Sequence, residues 1–390
     1  MARQFAHKGA RRLVAPAGQR PPLVFYSQVA WDTVWQRPQE QALGLAEKRP
    51  VLFVSPVQLH EWTERLSSTW EFCRTLCGGR LVVLSPLIFS GEYRVRAIRR
   101  LNARLLRRLL APLRGRGATF MTNTPFCWHL VPWLHPRRVV YDLIDDFCAF
   151  EWAPPEGRAL ERKLLRRADL VLAGTGALQR QYRRAFPGLE FLPSGVQFER
   201  LTAPAPEPED LAPLPRPRLL FVGTLNDKLD GALFRDLAEG FPAGSIALVG
   251  PRHETFRAPP LPPNVHHLGL KPHSALPGYY QHCDLGLMPF ADSPAARAIN
   301  PIKTLEYLAC GLPVISTPIP DVVEYYKGVV STAKPPDWVE EARRLLEQNN
   351  DEERARRREF ARGRSWDKLV RRMEEMIEPL EREPPCASAS

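Results

Sequence analysis

The 390-residue chain contains no C-x-x-C pair; its seven cysteines, at 73, 77, 127, 148, 283, 310 and 386, are odd in number and scattered. Such spacing argues against a disulfide framework or a zinc site and for incidental thiols in a reducing compartment. Long apolar runs are also missing. The longest uncharged stretch, 117–136, holds three prolines, Thr122, Asn123, Thr124 and two histidines, whereas a membrane span needs about 20 mostly apolar residues. The Arg-rich start has no apolar signal-peptide core, so a disordered basic tail is expected over residues 1–21. Acidic residues are scarce in the first half: residues 1–200 carry 31 Lys+Arg against 16 Asp+Glu, and residues 201–390 carry 23 against 27. The positive charge of the first half suggests an anionic membrane, nucleic acid or an acidic acceptor as partner.

What is present describes a soluble two-domain protein. A hydrophobic fraction of 44% and a charged fraction of 25% exclude disordered, fibrous and membrane-embedded classes. The length exceeds what one core usually serves, so two domains of roughly 150–200 residues are expected. Short apolar runs at 23–27, 51–56, 81–86, 119–122, 139–144 and 170–173 read as strands, with helical patterns near 36–47, 92–113, 157–168 and 176–186. Strands separated by helix-length connections imply a parallel sheet of βαβ units. Residues 203–217 hold six prolines and read as a stiff interdomain linker. Beyond it strands are expected at 219–223, 246–250, 265–268, 285–289 and 314–317, and helices near 229–240, 273–282, 302–310, 337–348 and 365–380. The fold class is therefore α/β, two tandem doubly wound domains: 22–202, then 218–364, with a helix and tail at 365–390 packing back toward the first. Ligands of such sheets bind beyond the carboxyl ends of the strands.

The most informative stretch is 285–317, LGLMPFADSPAARAINPIKTLEYLACGLPVIST. A strand leads through a small-residue loop to Asn300 as N-cap and Pro301 as first helical residue, with Ile302 and Lys303 in the first turn. Gly311 follows the helix as its C′ residue. Free amides and the positive dipole end would face a phosphate at the strand edge, and the Lys303 ammonium would add charge to the same anion. Glu306, three residues on, suits a bidentate acceptor for a ribose diol. The same spacing also fits a surface i,i+3 ion pair.

This stretch resembles the donor site of GT-B-fold glycosyltransferases, especially retaining family four, where a Pro-rich entry, a Glu-bearing helix and a G-x-P-V-I-S/T strand recur. Glu306 matches the second Glu of that family's E-x7-E motif, and Ala298 stands where the first would be. Phe221-Val222-Gly223-Thr224 resembles the family's opening F-V-G strand, with a glycine where backbone meets phosphate. Lys228 stands near the usual pyrophosphate-binding basic residue, although Leu229-Asp230 follows it. The 264–269 stretch, including Leu268, is similar to the strand and turn that meet the base. Upstream, 31–38 (WDTVWQRP), 140–146 (VYDLIDD) and 192–196 (LPSGV) resemble a bacterial subgroup that makes surface polysaccharides. The resemblance implies acceptor contacts from Trp31, Trp35, Gln36, Arg37, Asp142, Asp145 and Asp146.

Weaker signals remain. Gly174-Thr175-Gly176 opens a helix after a strand, but Gln179 breaks the dinucleotide fingerprint, and Thr175 reads as a helix cap. Asp142, Asp145 and Asp146 fit loop and cap roles as well as acceptor hydroxyls or a metal. Residues 94–116 contain nine arginines and no acid, with Val95, Ile98, Leu101, Leu105, Leu109 and Leu113 recurring at helical period. That face fits a solvated surface or a dock on an anionic bilayer; no aromatics interleave it for base stacking, so nucleic acid is disfavoured.

The expected function is a cytoplasmic glycosyltransferase of hexosyltransferase type, peripheral on the inner face of the cell membrane. It would move sugar from a nucleotide-diphosphate donor to a glycan or lipid-linked acceptor in surface-polysaccharide synthesis. Lys303, Glu306 and Lys228 would carry the chemistry without metal or other cofactor. A nucleotide-sugar epimerase of the same fold and a non-catalytic nucleotide-sugar or nucleic-acid binder are the alternatives.

Overall fold

The computed structural model describes residues 20–32, 35–59, 72–297, 299 and 301–382. Two compact units emerge. The first comprises residues up to Gly174, Leu178–Leu192 and the chain from Leu369 onward; the second comprises Thr175–Ala177 and Pro193–Lys368.

The first unit contains β1 (Leu23–Tyr26), β2 (Val51–Val54), β3 (Val57–Gln58), β4 (Cys73–Leu76), β5 (Leu81–Leu84), β6 (Leu87–Ile88), β7 (Thr119–Thr122), β8 (Arg138–Leu143), β9 (Leu170–Ala173) and β10 (Glu190–Phe191). Eight of them form one sheet in the order β10-β9-β8-β7-β1-β2-β5-β4, while β3 and β6 pair separately. Central strands such as β1, β2 and β7 are buried on both faces, as parallel sheets covered by helices require. β4 is the antiparallel exception, running against β5. It was not expected, because an edge strand reading Cys-Arg-Thr-Leu offers no apolar run.

Helix Trp366–Arg382 contributes residues from Leu369 onward to this first unit. Gly44 in helix Arg37–Ala46 lies against Val370, whose methyl would stand 2.8 Å from a Cβ there. Arg49 is buried between Glu374, at 2.9 Å, and Glu381.

The arginine-rich helix, Arg96–Leu110, buries Asn102, Leu106, Leu109 and Leu110. This face is displaced from the expected stripe: Val95 and Leu101 remain 45% exposed, and Phe89 nearby 49%. Asn102 explains the displacement. Its side chain accepts from the Phe89 N–H and donates to the Phe89 carbonyl and to Glu92, so a polar residue turns inward. Three arginines are tied down: Arg99 to Glu156 and the Glu92 carbonyl, Arg107 to the His129 carbonyl, and Arg114 to the Trp133 carbonyl. Arg94, Arg96, Arg100, Arg104, Arg108 and Arg116 are exposed.

The second unit contains β11 (Arg218–Val222), β12 (Ser245–Val249), β13 (Val265–Gly269), β14 (Leu285–Met288), β15 (Val314–Ser316) and β16 (Ser331–Thr332). They form a parallel sheet in the order β13-β12-β11-β14-β15-β16. The proline-rich segment 203–217 is not a free linker. Leu211 is fully buried, the Ala205 N–H donates to Gln281, and Tyr279 donates to Asp210 at 2.6 Å. Proline stiffness here lays the segment on the second unit, to which it belongs, and the chain divides at 192/193.

Candidate donor site and acceptor-side pocket

In the second unit, the carboxyl ends of β11, β12 and β14 converge with the start of helix Ile302–Ala309. Gly250 must be glycine. Its φ is +141°, and a Cβ would stand 2.0 Å from the Gly223 carbonyl oxygen, so the two strand ends meet backbone to backbone. Gly286 in β14 is required for another reason: a Cβ would meet the Tyr307 ring at 2.8 Å. Tyr307 in turn accepts a 2.8 Å hydrogen bond from the Val222 N–H. The helix is thereby locked onto the strands that frame the site.

The helix begins at Ile302 with Pro301 as its N-cap in extended conformation. Asn300 and Ala298 lie outside the described residues, so the expected start is displaced by one position. The end is as expected: Gly311 has φ +82°, its N–H donates to Leu308, and the Leu312 N–H donates to Tyr307, a Schellman closure.

Lys303 and Glu306 form an ion pair of 2.7 Å. Glu306 is 7% exposed, and its Oε2 also accepts from the Tyr280 hydroxyl. Burial, followed by the nearby Glu306 charge, pushes Tyr280 well above the ordinary phenol range, so it stays a donor. Burial lowers His273 from its ordinary value, and Arg200 adds to that. Arg200 donates to the His273 carbonyl at 2.9 Å and lies 3.0 Å from Nε2. A guanidinium can only donate, so Nε2 accepts and the imidazole is neutral. Tyr280, His273 and Arg200 were missed in the sequence because Tyr280 bonds Glu306, His273 feels its charge and Arg200 bonds His273 from separate elements with no shared spacing.

Gly223 and Thr224 follow β11, and Thr224 is exposed. Lys228 is exposed in the following loop, whose Lys228 carbonyl accepts from the Ala291 N–H and whose Asp230 N–H donates to Pro289. This loop therefore runs beside the exit from β14. Leu268 lies in β13 at the sheet edge, half-buried against the core. Asn264, just before it, caps the carbonyls of Ala238, Phe241 and Gly244. A cavity of about 500 Å³ lies at the opposite end of the sheet, beside Pro313 and Val314. Its Arg344 and Arg356 are held by Glu341 and Glu353. Helix Asp351–Arg362 opens onto this cavity, but Asn350 caps the Glu353 N–H and the first turn carries Asp351, Glu352 and Glu353, charges that repel a phosphate, so the donor site is assigned to the carboxyl edge.

In the first unit, the expected acceptor residues divide. Asp142 is fully buried and Arg37 is 5% exposed. Their ion pair has bonds of 2.9 and 2.6 Å; Gln41 donates to the same carboxylate, and Arg37 also reaches the Leu192 carbonyl. Both are placed as scaffold, because their polar capacity is used inside the fold. Trp31 is 5% exposed and packs edge-on against Phe53 and Trp35, at 5.0 and 5.7 Å. Trp35 is 37% exposed and donates to Glu40. Asp145 is exposed and accepts from the Asp146 N–H.

Asp146, Cys148 and Glu161 lie within 4.8 Å of one another, which is ligand spacing. A cation already serves the carboxylates: Arg158 reaches Asp146 at 2.6 Å and Glu161 at 3.1 Å. Burial pushes the Cys148 thiol up to about 12, so it is a poor metal ligand at neutral pH.

Gln36 instead lines a pocket of about 250 Å³ with Tyr26, Ser27, Gln28, Gln58, Glu92 and Tyr93. Tyr26 and Gln58 end β1 and β3, Glu92 and Tyr93 follow β6, and Gln36 caps helix Arg37–Ala46, so the pocket joins segments far apart in sequence. Tyr93 donates to Gln28 at 3.1 Å, and the Gln28 N–H donates to Asn123. Burial raises the Glu92 carboxyl above its usual range, while Asn102 and Arg99 oppose the shift. Among the described residues, amides, hydroxyls and one carboxylate supply its polar atoms beside Val29, Ala30, Pro56 and Ile88, a set that recognises sugar hydroxyls.

Residues 216–348 match the family described as Glycosyl transferases group 1. Over 269 residues the chain is 27% identical to a putative teichuronic acid biosynthesis glycosyltransferase, TuaH, of Bacillus subtilis (strain 168); the match covers 60% of this chain and 66% of that protein. Among solved structures, the E. coli trehalose-6-phosphate protein bound with UDP-2-fluoro glucose superposes with a TM-score of 0.66 at 14% identity, covering 93% of this chain and all of the other. Anabaena HepE in complex with UDP and glucose gives 0.63 at 14%, covering 92% and all of the other. At such identity the solved structures establish the fold, two Rossmann-like domains. With the family match over the domain that carries Lys303 and Glu306, these findings support a glycosyltransferase of GT-B fold.

Proposed function

We propose that the protein transfers a sugar, with retention, from a nucleoside diphosphate donor to a glycan or lipid-linked acceptor in cell-surface polysaccharide synthesis. The observation that carries this reading is the Lys303–Glu306 pair in the first turns of a helix pinned beside the carboxyl end of β14. A ligand's diphosphate would draw Lys303 away from Glu306 and toward the helix amides, and the freed carboxylate would accept the ribose hydroxyls. Glycosyl transfer develops oxocarbenium character at the anomeric carbon, while charge builds on the departing diphosphate. Lys303, Lys228 and the 302–304 amides would meet that charge, with no metal invoked. The teichuronic acid relative supports a surface polymer as product, and UDP in the two solved relatives supports a uridine nucleotide.

Product analysis with UDP-sugars and a panel of glycan acceptors tests the reading. Sugar transfer supports it; an isomerised donor would make the protein an epimerase, and nucleotide binding without turnover a binding protein. Glu306→Gln should weaken UDP binding by roughly 1.5–3 kcal/mol, the scale of charged hydrogen bonds. Wild-type affinity by calorimetry would remove the ribose role.

The arginine helix supports a peripheral site on the inner membrane face. No helix of the described residues is long and apolar enough to cross a membrane. Arg100, Arg104 and Arg108 are better probes than Arg99 and Arg107, which are tied within the unit. At about 1 kcal/mol per basic residue near an anionic surface, changing all three to Gln should weaken vesicle binding roughly 100-fold. Co-sedimentation equal for anionic and neutral vesicles would defeat this docking.

A further inference from the structure

The loop after β8 carries Phe150 and Trp152, which the chemistry above leaves without a task. Their rings stack with centroids 5.4 Å apart and planes 18° apart, yet they remain 41% and 38% exposed. Trp152 also lies 5.6 Å from the Tyr93 ring and 5.8 Å from Phe126, so the pair is backed by packed aromatics. Tyr93 is at the same time a wall of the polar pocket that holds Gln28, Gln36 and Glu92. A shelf of two stacked, part-exposed rings thus adjoins a pocket of sugar-binding polarity through a shared residue. Aromatic faces bury the C–H face of a pyranose while leaving its hydroxyls wet, and this suits an amphipathic ring better than a fully apolar partner. Among the described residues no Lys, Arg or His lines the pocket, and a phosphorylated or carboxylated sugar would enter beside the Glu92 carboxylate.

We propose that the acceptor is an oligosaccharide of at least two residues: a neutral terminal sugar sits in the pocket, and the next residue stacks on Phe150–Trp152. The inference rests on the acceptor reading above and names the class of acceptor.

The test uses the full chain, with and without UDP, titrated calorimetrically with malto-, cello- and chito-oligosaccharides of one to four residues. In at least one series, affinity should rise about five- to tenfold from one residue to two, the scale of one ring stacking, and then level. Trp152→Ala should erase that increment and Trp152→Phe should keep much of it; Phe150→Ala probes the shelf from its other half. Thermal melts confirm that the variants fold. An affinity independent of chain length, or no binding of any panel sugar by the wild type, overturns the proposal. So does a Trp152→Ala variant that loses anionic-vesicle binding but keeps the length increment, which would assign the rings to the bilayer. Failure of the wild type to bind UDP would instead remove the transferase reading, and the saccharide titrations without nucleotide would still judge the shelf.

Discussion

Lys303→Ala is expected to lower turnover by roughly 10²–10³-fold, the loss typical when one preorganised charge-stabilising group is removed. Uridine binding should change less than about twofold, because the lost contact is to phosphate and a nucleoside has none. Lys303 is only 26% exposed at its side chain and lies 2.7 Å from Glu306, so only a short swing from that carboxylate brings it to the diphosphate. Removing it also leaves Glu306, which is nearly buried, with Tyr280 as its remaining partner. UDP affinity should therefore fall as well, partly through weaker phosphate attraction. Parallel calorimetry with uridine and UDP, alongside initial rates, separates these effects. Equal losses for uridine and UDP would show that Lys303 does not address the diphosphate.

Asp142→Ala is expected to destabilise the first unit by about 3–5 kcal/mol, because Arg37 would remain as an uncompensated buried cation. For a unit of this size each kcal/mol corresponds to roughly 2–4 °C, so the melting temperature should drop by about 6–20 °C. The sequence expectation placed Asp142 on the acceptor. An acceptor role would instead raise KM while leaving the melt unchanged. Calorimetric melts of wild type and variant decide between them, and unchanged stability would return Asp142 to the acceptor side.

The two outcomes for residues chosen by the same resemblance show where sequence stops being informative. The expected strand at 139–144, with the aspartates of the 140–146 motif, reads equally well whether those aspartates face a ligand or a neighbour. Asp142 became scaffold because helix Arg37–Ala46 delivers both Arg37 and Gln41 to its carboxylate, a pairing across about a hundred residues that no local spacing announces. Glu306 and Lys303 were legible because both chemistry and geometry sit on one turn of one helix.

The alternation of apolar runs and helical patterns by itself determined two parallel sheets, eleven of the strand positions to within two or three residues, and the Gly311 helix stop, since these follow from backbone periodicity and capping. Tertiary structure decided the rest. It laid residues 203–217 on the second unit, displaced the buried face of the arginine helix around Asn102, and assembled the Gln36–Glu92–Tyr93 pocket from separate loops. The physical reason is common to all three. Burial and polar pairing are satisfied by groups distant along the chain, so their partners exist only once the sheets have formed.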